Sequence, residues 1–212
     1  MAQAAAISVL VVIGDEPTRT RLFEELQSRC EIVADVDSFE AARARAVELV
    51  PDVVLVDDRI GRDAIGEFCF DVLVNTPATR VVALVEHDDE IAYETLLQGA
   101  FSLVPSDSAP AAVVEAVRGA ARGESVLTTG SAQRLLEDLQ RVATTSADPL
   151  TRTLRLTRIE EAVLARLAQG ATPAEVAELH DVTARLVNLH TGYATAKVHH
   201  HAQRVRIRDA FV

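Results

Sequence analysis

The first part of the chain alternates short apolar runs with longer amphipathic segments. Apolar runs rich in β-branched residues lie at 8 to 13, 32 to 36, 52 to 57, 80 to 85 and 101 to 104. Helical patterns follow them near 17 to 28, 38 to 49, 64 to 75, 89 to 98 and 109 to 121. Strands that are apolar throughout and alternate with helices are typical of a parallel sheet covered on both faces. Residues 1 to 125 are therefore predicted to form one doubly wound α/β domain.

The pattern changes after residue 125. A linker is predicted over 126 to 153, with an amphipathic helix at 131 to 142 and the polar stretch "ATTSADPLTRT" at 143 to 153. From 154 to 212 the periodicity is helical, which predicts an all-α domain of four helices. These helices lie near 157 to 168, 173 to 180, 184 to 198 and 202 to 211.

A short break, "HDVT" at 180 to 183, separates the second and third of these C-terminal helices. It is short enough for the corner of a helix-turn-helix. Thr172 and Thr183 are predicted to cap the two helices, and Pro173 suits a first helical turn. The predicted packing positions are Val176, Ala177, Leu186 and Val187.

The run "PDVVLVDDRIG" at 51 to 61 stops abruptly on two carboxylates, Asp57 and Asp58. In doubly wound sheets the functional crevice forms at the carboxyl ends of the strands. The pair is therefore either a chemical centre or the polar end of a buried strand.

Taken in order, these segments resemble a two-component response regulator of the NarL-like class, a receiver domain followed by a LuxR-type helix-turn-helix domain. The receiver resemblance rests on "VVIGDEP", "PDVVLVDDR", "RVVALVEHDDE", "LLQGAFSLVPSD" and "AVRGAARGESVL". The C-terminal resemblance rests on "LTRIEEAVLARLAQGATPAEVAELHDVTARLVNLH". The resemblance implies a flavodoxin-like receiver with five parallel strands and a four-helix DNA-binding domain.

The resemblance places the phosphate acceptor at Asp57. The family's metal-holding acidic pair would fall at Gly14 and Asp15, so one carboxylate is missing, although Glu16 and Asp58 could supply replacements. Phosphorylation of an aspartate needs a divalent cation, because the phosphoryl oxygens and the acceptor are all anionic. No resident cofactor or metal is therefore expected, and Mg²⁺ only with residual phosphorylation.

The family's switch residues are also replaced. Val85 stands where the family has a hydroxyl, Ser106 where it has a lysine, and Leu103 where it has a swinging aromatic. Val85 can donate no hydrogen bond, and Ser106 lacks the reach and charge of a lysine. The receiver is therefore predicted to be degenerate, with its state set by dimerisation, a protein partner or a small ligand.

The second helix of a helix-turn-helix enters the major groove of DNA by its N-terminal residues. Here the candidate DNA contacts are Thr183, Arg185, Val187, Asn188, His190 and Lys197. The resemblance implies a lysine at Asn188, and asparagine contributes no counterion release. Gly192 also departs from the family pattern and costs about 1 kcal/mol relative to alanine within a helix.

The three histidines of "HHHAQRVRIR", at 199 to 208, point in different directions around a helix and are not expected to chelate one metal ion. Arg204, Arg206 and Arg208 are predicted to lie near phosphates. Val205, Ile207 and Phe211 are predicted to pack within the domain or against a dimer partner.

The net charge of −11 is unevenly distributed. After residue 150 there are nine Lys and Arg against six Asp and Glu, a charge of +3, whereas the earlier part carries −14. The C-terminal part is therefore the better candidate for contact with a polyanion.

Cys30 and Cys69 lie in apolar segments and are predicted to be buried free thiols. The chain has neither a transmembrane stretch nor a signal peptide by its sequence pattern, which favours a cytoplasmic location.

These observations predict a DNA-binding transcriptional regulator, not an enzyme, that acts as a homodimer on a palindromic promoter site without phosphorylation. One alternative is an interaction protein that has lost DNA binding and acts on a partner regulator. A second alternative is a conventional regulator switched by phosphorylation of Asp57.

Overall fold

The computed structural model describes residues 6–88, 90–145 and 154–210 of the chain. Five parallel strands form one sheet in the order β2-β1-β3-β4-β5. The strands are β1 Ser8–Val12, β2 Glu31–Val36, β3 Val53–Asp57, β4 Arg80–Val85 and β5 Ala100–Pro105. The helices are α1 Glu16–Arg29, α2 Phe39–Leu49, α3 Arg62–Asn75, α4 Glu90–Gln98, α5 Pro110–Ala121, α6 Thr129–Thr145, α7 Arg158–Leu167, α8 Pro173–Leu179 and α9 Ala184–Ala210. This is the predicted flavodoxin-like arrangement with a helical C-terminal region.

Both faces of the sheet are covered by helices. In β1, Val9 and Val11 pack towards α1 and α5, whereas Leu10 and Val12 pack towards α2 and α3. Successive side chains of a strand point to opposite faces, so burial on both sides gives the continuous apolar runs seen in the sequence. Cys30 and Cys69 are buried free thiols, as predicted, and burial raises the pKa of both.

The predicted helix caps of the C-terminal region are present. The Thr172 hydroxyl accepts a hydrogen bond from the amide of Glu175, and the Glu175 carboxylate accepts one from the amide of Thr172. Pro173 begins α8. The Thr183 hydroxyl accepts from the amide of Leu186 at the start of α9. These side chains satisfy amide groups that have no partner within the helix. The helix-turn-helix corner therefore lies where the sequence predicts it.

The structure differs from the prediction in the last two helices. The segments at 184 to 198 and 202 to 211 are not separate, since α9 runs without a break from Ala184 to Ala210. The joining residues His199, His200 and His201 include neither glycine nor proline, so nothing in this stretch ends a helix. His199 is buried, and its Nε2 lies 2.8 Å from the carbonyl oxygen of Leu96 in α4.

The helical C-terminal region shares its core with the α/β part. Leu135 of α6, Leu164 of α7 and Ala194 of α9 belong to the same buried cluster as Leu96 and Leu103. A smaller cluster, which includes Val163, Val176 and Val187, holds α7, α8 and the start of α9 together.

No described helix has both the length and the apolar character needed to cross a membrane. Residues 146 to 153 of the predicted linker, Phe211, and the side chains of Val205, Arg206, Ile207 and Arg208 lie outside the described part.

Candidate functional site

The carboxylate of Asp57 lies at the end of β3 and is fully buried. Its main partner is Arg59, two residues further on. The Arg59 Nε lies 3.0 Å and 3.2 Å from the two carboxylate oxygens, and Nη2 lies 2.6 Å from Oδ2. The amide of Arg59 donates to the same group at 3.0 Å. Asp57 is thus held by several charge-assisted hydrogen bonds from one residue.

The Arg59 guanidinium also joins Asp57 to α1. Its Nη2 donates to the Thr18 hydroxyl at 2.6 Å, and its Nη1 lies 3.5 Å from Asp15 Oδ2. The hydrogen bond to Asp57 raises the pKa of Arg59, whereas hydrogen bonds from Thr18 lower the pKa of Asp15. One guanidinium therefore occupies the space between the two carboxylates that a bridging cation would use.

Asp58 has a different environment from its neighbour. It is 2% exposed, and its Oδ2 accepts from the amide of Glu86 at 3.2 Å and lies 3.6 Å from Nη1 of Arg62. Its Oδ1 is buried and has no hydrogen-bond partner among the described residues. Burial raises the pKa of Asp58. The adjacent acids are therefore not equivalent, since one is paired and the other is only partly satisfied.

The remaining predicted receiver residues lie around this pocket without completing it. Gly14 is exposed, and the Glu16 side chain is 78% exposed and lies 3.9 Å from Arg19. Val85 is buried at the end of β4, and Leu103 is buried within β5. The amide of Ser106 donates to the Val85 carbonyl. Mg²⁺ does not fit this pocket as it stands, because Arg59 takes up the carboxylate oxygens that would bind it. The described part of the chain holds no cluster of three metal-binding side chains.

The predicted DNA-reading helix is the first half of α9, and it lies against the α/β part. Arg185 Nε lies 2.7 Å from Oε1 of Glu124, which Arg122 also binds at 2.8 Å. The amide of Ser125 donates to the Asn188 carbonyl at 2.9 Å. The side-chain oxygen of Asn188 is buried without a partner among the described residues. The segment after α5 therefore contacts the helix face that carries two of the predicted DNA contacts. It buries the side-chain oxygen of Asn188, whereas the Arg185 side chain remains 67% exposed.

The close approach in this contact depends on Gly192. A Cβ built on Gly192 would lie 2.1 Å from the carbonyl oxygen of Gly123 and 3.2 Å from the ring of Phe101. Real Cβ atoms do not approach so closely. Gly123 itself has a φ of +82°, a conformation that favours glycine. The unusual mid-helix glycine of the sequence therefore marks the place where two backbones meet.

The other predicted DNA contacts differ in their exposure and in their partners within the chain. Thr183 is exposed and His190 is half-buried against Tyr193, but Val187 is buried at 2% exposure and faces the core. Lys197 Nζ binds Glu160 Oε2 at 2.5 Å and the Arg155 carbonyl at 3.0 Å. The structure thus gives Lys197 a partner within the chain.

Three residues were not identified correctly from the sequence pattern. The predicted packing position Leu186 is wrong, since its side chain is 39% exposed. Arg59 was missed altogether, and the only signal was a basic residue two positions after a buried acid. Glu124 was missed because it lies in a polar loop whose place next to α9 depends on the tertiary fold.

No family model matches the chain. It is 30% identical over 149 residues to the uncharacterized transcriptional regulatory protein YxjL of Bacillus subtilis, covering 69% of this chain and 67% of that protein. It is 28% identical over 195 residues to the DNA-binding transcriptional activator DevR/DosR of Mycobacterium tuberculosis, covering 91% and 88%. The transcriptional regulatory protein LiaR of B. subtilis is 28% identical over 190 residues, covering 87% of each.

Solved structures are similar in fold. The receiver domain of a response regulator NarL from M. tuberculosis superposes with a TM-score of 0.52 at 27% identity, covering 56% of this chain and 98% of that one. The RcsB response regulator of Salmonella typhimurium has a TM-score of 0.52 at 18% identity, covering 91% and 92%. The second match spans both the sheet and the C-terminal helices, and it supports the fold alone.

Proposed function

The chain belongs to the NarL/LuxR family of transcriptional response regulators, and on this premise we propose that it binds promoter DNA without phosphorylation of Asp57. The DNA contacts come from the exposed and receiver-facing residues of α9, in particular Thr183, Arg185, Asn188 and His190. The form described above is closed, because the loop after α5 covers this face. Dimerisation, a protein partner or a small ligand opens it. The open form binds a palindromic site as a homodimer.

The observation that carries the phosphorylation-independent part is the Arg59 guanidinium on Asp57. A divalent cation can reach Asp57 only if these charge-assisted hydrogen bonds are lost, and each is worth about 1.5 to 3 kcal/mol. Losing two of them costs about 3 to 6 kcal/mol, which exceeds a typical allosteric coupling of about 1 to 3 kcal/mol. Phosphorylation of Asp57 would therefore have to offset this cost before it could act as the switch.

The first test is the reaction of the full chain with acetyl phosphate and Mg²⁺, followed by intact-mass measurement. We expect no adduct on the wild type, since Asp57 is paired with Arg59 and Mg²⁺ has no place beside it. Arg59→Ala combined with Gly14→Asp is expected to bind Mn²⁺ at least about tenfold more tightly than the wild type, because it removes the competing cation and adds a carboxylate. A Cβ at Gly14 makes only ordinary contacts, so the change is sterically tolerable.

Arg43→Ala combined with Gly14→Asp is the matched control, because Arg43 pairs with Asp71 away from this pocket. It should leave Mn²⁺ affinity close to that of Gly14→Asp alone. A stoichiometric phosphoryl adduct on the wild type that disappears in Asp57→Ala would overturn the proposal and favour the conventional switch.

The closed arrangement of α9 gives a second test. Glu124 is 6% exposed and binds both Arg122 and Arg185, so Glu124→Gln removes the charge that holds Arg185. We expect Glu124→Gln to tighten specific DNA binding several-fold, because a hydrogen bond between charged partners is worth about 1.5 to 3 kcal/mol, part of which the amide retains. The measurement is a fluorescence titration with genomic fragments selected by the full chain, repeated over a range of salt concentrations.

Glu48→Gln is the control for this titration, since Glu48 pairs with Arg45 on α2, away from α9. A steep loss of affinity with salt indicates contacts to phosphates. Equal affinities in Glu124→Gln and the wild type would contradict the closed arrangement.

A second candidate function is an interaction protein without DNA binding. Its support is the ion pair between Lys197 and Glu160, which takes up a cation that would otherwise be available to phosphates. In that case neither the wild type nor Glu124→Gln retains any genomic fragment during the selection, at any salt concentration.

A further inference from the structure

A groove opens in the helix-turn-helix region, away from the contact between α9 and the α/β part. It lies between the start of α7, the corner after α8 and the first two turns of α9, and its volume is about 330 Å³. Pockets for small ligands begin at about 300 Å³ and are mostly apolar. The floor is formed by the buried side chains of Val163, Val176 and Val187. The volume of the groove and its apolar floor therefore suit a small ligand with an apolar part.

The rim of the groove exposes large apolar side chains. Ile159 is 55% exposed, Val182 is 40% exposed and Leu186 is 39% exposed. They come from three different elements and meet around one opening, so a single ligand would cover all three. A role in packing accounts for the floor residues but not for this exposed ring.

The permanent charge at the groove is positive. Arg158 lines it together with the rings of His180 and His190, and no carboxylate does. Arg158 is exposed and has no ion-pair partner within the described ranges. A ligand that packs against the apolar walls and also pairs with Arg158 would have an apolar chain with one negative charge at its end.

We propose that this groove binds an amphipathic carboxylate, such as a medium-chain fatty acid, with its chain on the valine floor and its carboxylate at Arg158. Leu186, Val187 and His190 lie in the part of α9 that the proposed function assigns to DNA. The ligand therefore competes with DNA, and this consequence rests on the proposed function, whereas the binding itself does not.

The test uses decanoate with the full-length chain and isothermal titration calorimetry, below the concentration at which decanoate forms micelles. We expect saturable binding of one decanoate per chain, at least tenfold weaker for Arg158→Gln and absent for Ala162→Phe. Ala162 is an exposed residue on the groove wall, so a larger side chain fills the groove without entering the core. To the wild type, decanol should bind more weakly than decanoate. To Arg158→Gln, decanol and decanoate should bind with equal affinity.

Arg166→Gln is the matched control, because Arg166 lies in the last turn of α7 outside the groove and should leave decanoate affinity unchanged. The inference is overturned if the wild type shows no saturable binding, or if Arg158→Gln and Ala162→Phe bind decanoate as the wild type does. A DNA titration with and without decanoate separates the two proposals. Failure of the wild type to bind any fragment removes the proposed function and leaves the decanoate result standing.

Discussion

Gly192→Ala is expected to raise the affinity for DNA about tenfold or more, because it prevents α9 from docking on the α/β part. The added methyl group would lie 2.1 Å from the Gly123 carbonyl oxygen, so the two backbones must separate. Overpacking of this kind costs about 1 to 3 kcal/mol, and about 1.4 kcal/mol corresponds to a tenfold change in an equilibrium constant. The same change stabilises an isolated helix by about 1 kcal/mol, so α9 itself should stay intact.

Two measurements check this expectation. DNA affinity is measured by fluorescence titration, and hydrogen exchange follows the amide of Ser125, which donates to the Asn188 carbonyl in the closed form. Exchange at this amide should accelerate in Gly192→Ala.

A matched control separates steric opening from helix propensity. Ala196 is an exposed residue of α9, so Gly192→Ala combined with Ala196→Gly keeps the number of glycines in the helix constant. The steric argument predicts that the double variant keeps the gain in affinity. A return to wild-type affinity would mean that helix propensity, not docking, explains the single variant.

The sequence predicts the sheet and the position of Asp57 because both depend on local patterns. A strand buried on both faces must be apolar throughout, and the first charged residue after it marks the edge where it meets the crevice. The helix-turn-helix corner is likewise fixed by Thr172, Pro173 and Thr183, whose capping roles need only neighbouring residues.

The missing part of the prediction concerns contacts between distant segments. Arg59 was compatible with a solvent-exposed position, and its place in the pocket depends on Asp15 and Thr18 across the sheet. Gly192 could be recognised as unfavourable in a helix, but the reason for a glycine there is the close approach of the loop at Gly123, which only the tertiary fold shows. The continuity of α9 was missed because the polar run His199 to His201 was interpreted as a turn, although it contains no helix-breaking residue.

Acidification from pH 7 to pH 5 is expected to reduce the free energy of unfolding by about 2 kcal/mol through His199 alone. Its imidazole is buried between α9 and α4, next to Phe101 and Arg80, and burial lowers its pKa from 6.5 to about 4. Below pH 6.5 the unfolded chain binds more protons than the folded one at this residue, so stability falls as the pH approaches 4.

The measurement is urea denaturation of the full chain at several pH values between 7 and 5. His199→Gln removes the titrating ring while keeping an N–H group that can donate to the Leu96 carbonyl, and it should flatten the pH dependence by about the same 2 kcal/mol. His200→Gln is the matched control, since His200 is the next residue of α9 and is exposed, and it should follow the wild-type curve. The same pH dependence in His199→Gln and the wild type would show that His199 is not buried as a neutral ring.

Because His199 lies in the helix that carries the proposed DNA contacts, protonation that weakens its docking also releases α9 from α4. Acid and Gly192→Ala therefore act on the same contact, since both His199 and Gly192 lie next to Phe101, and their effects on Ser125 exchange should be less than additive.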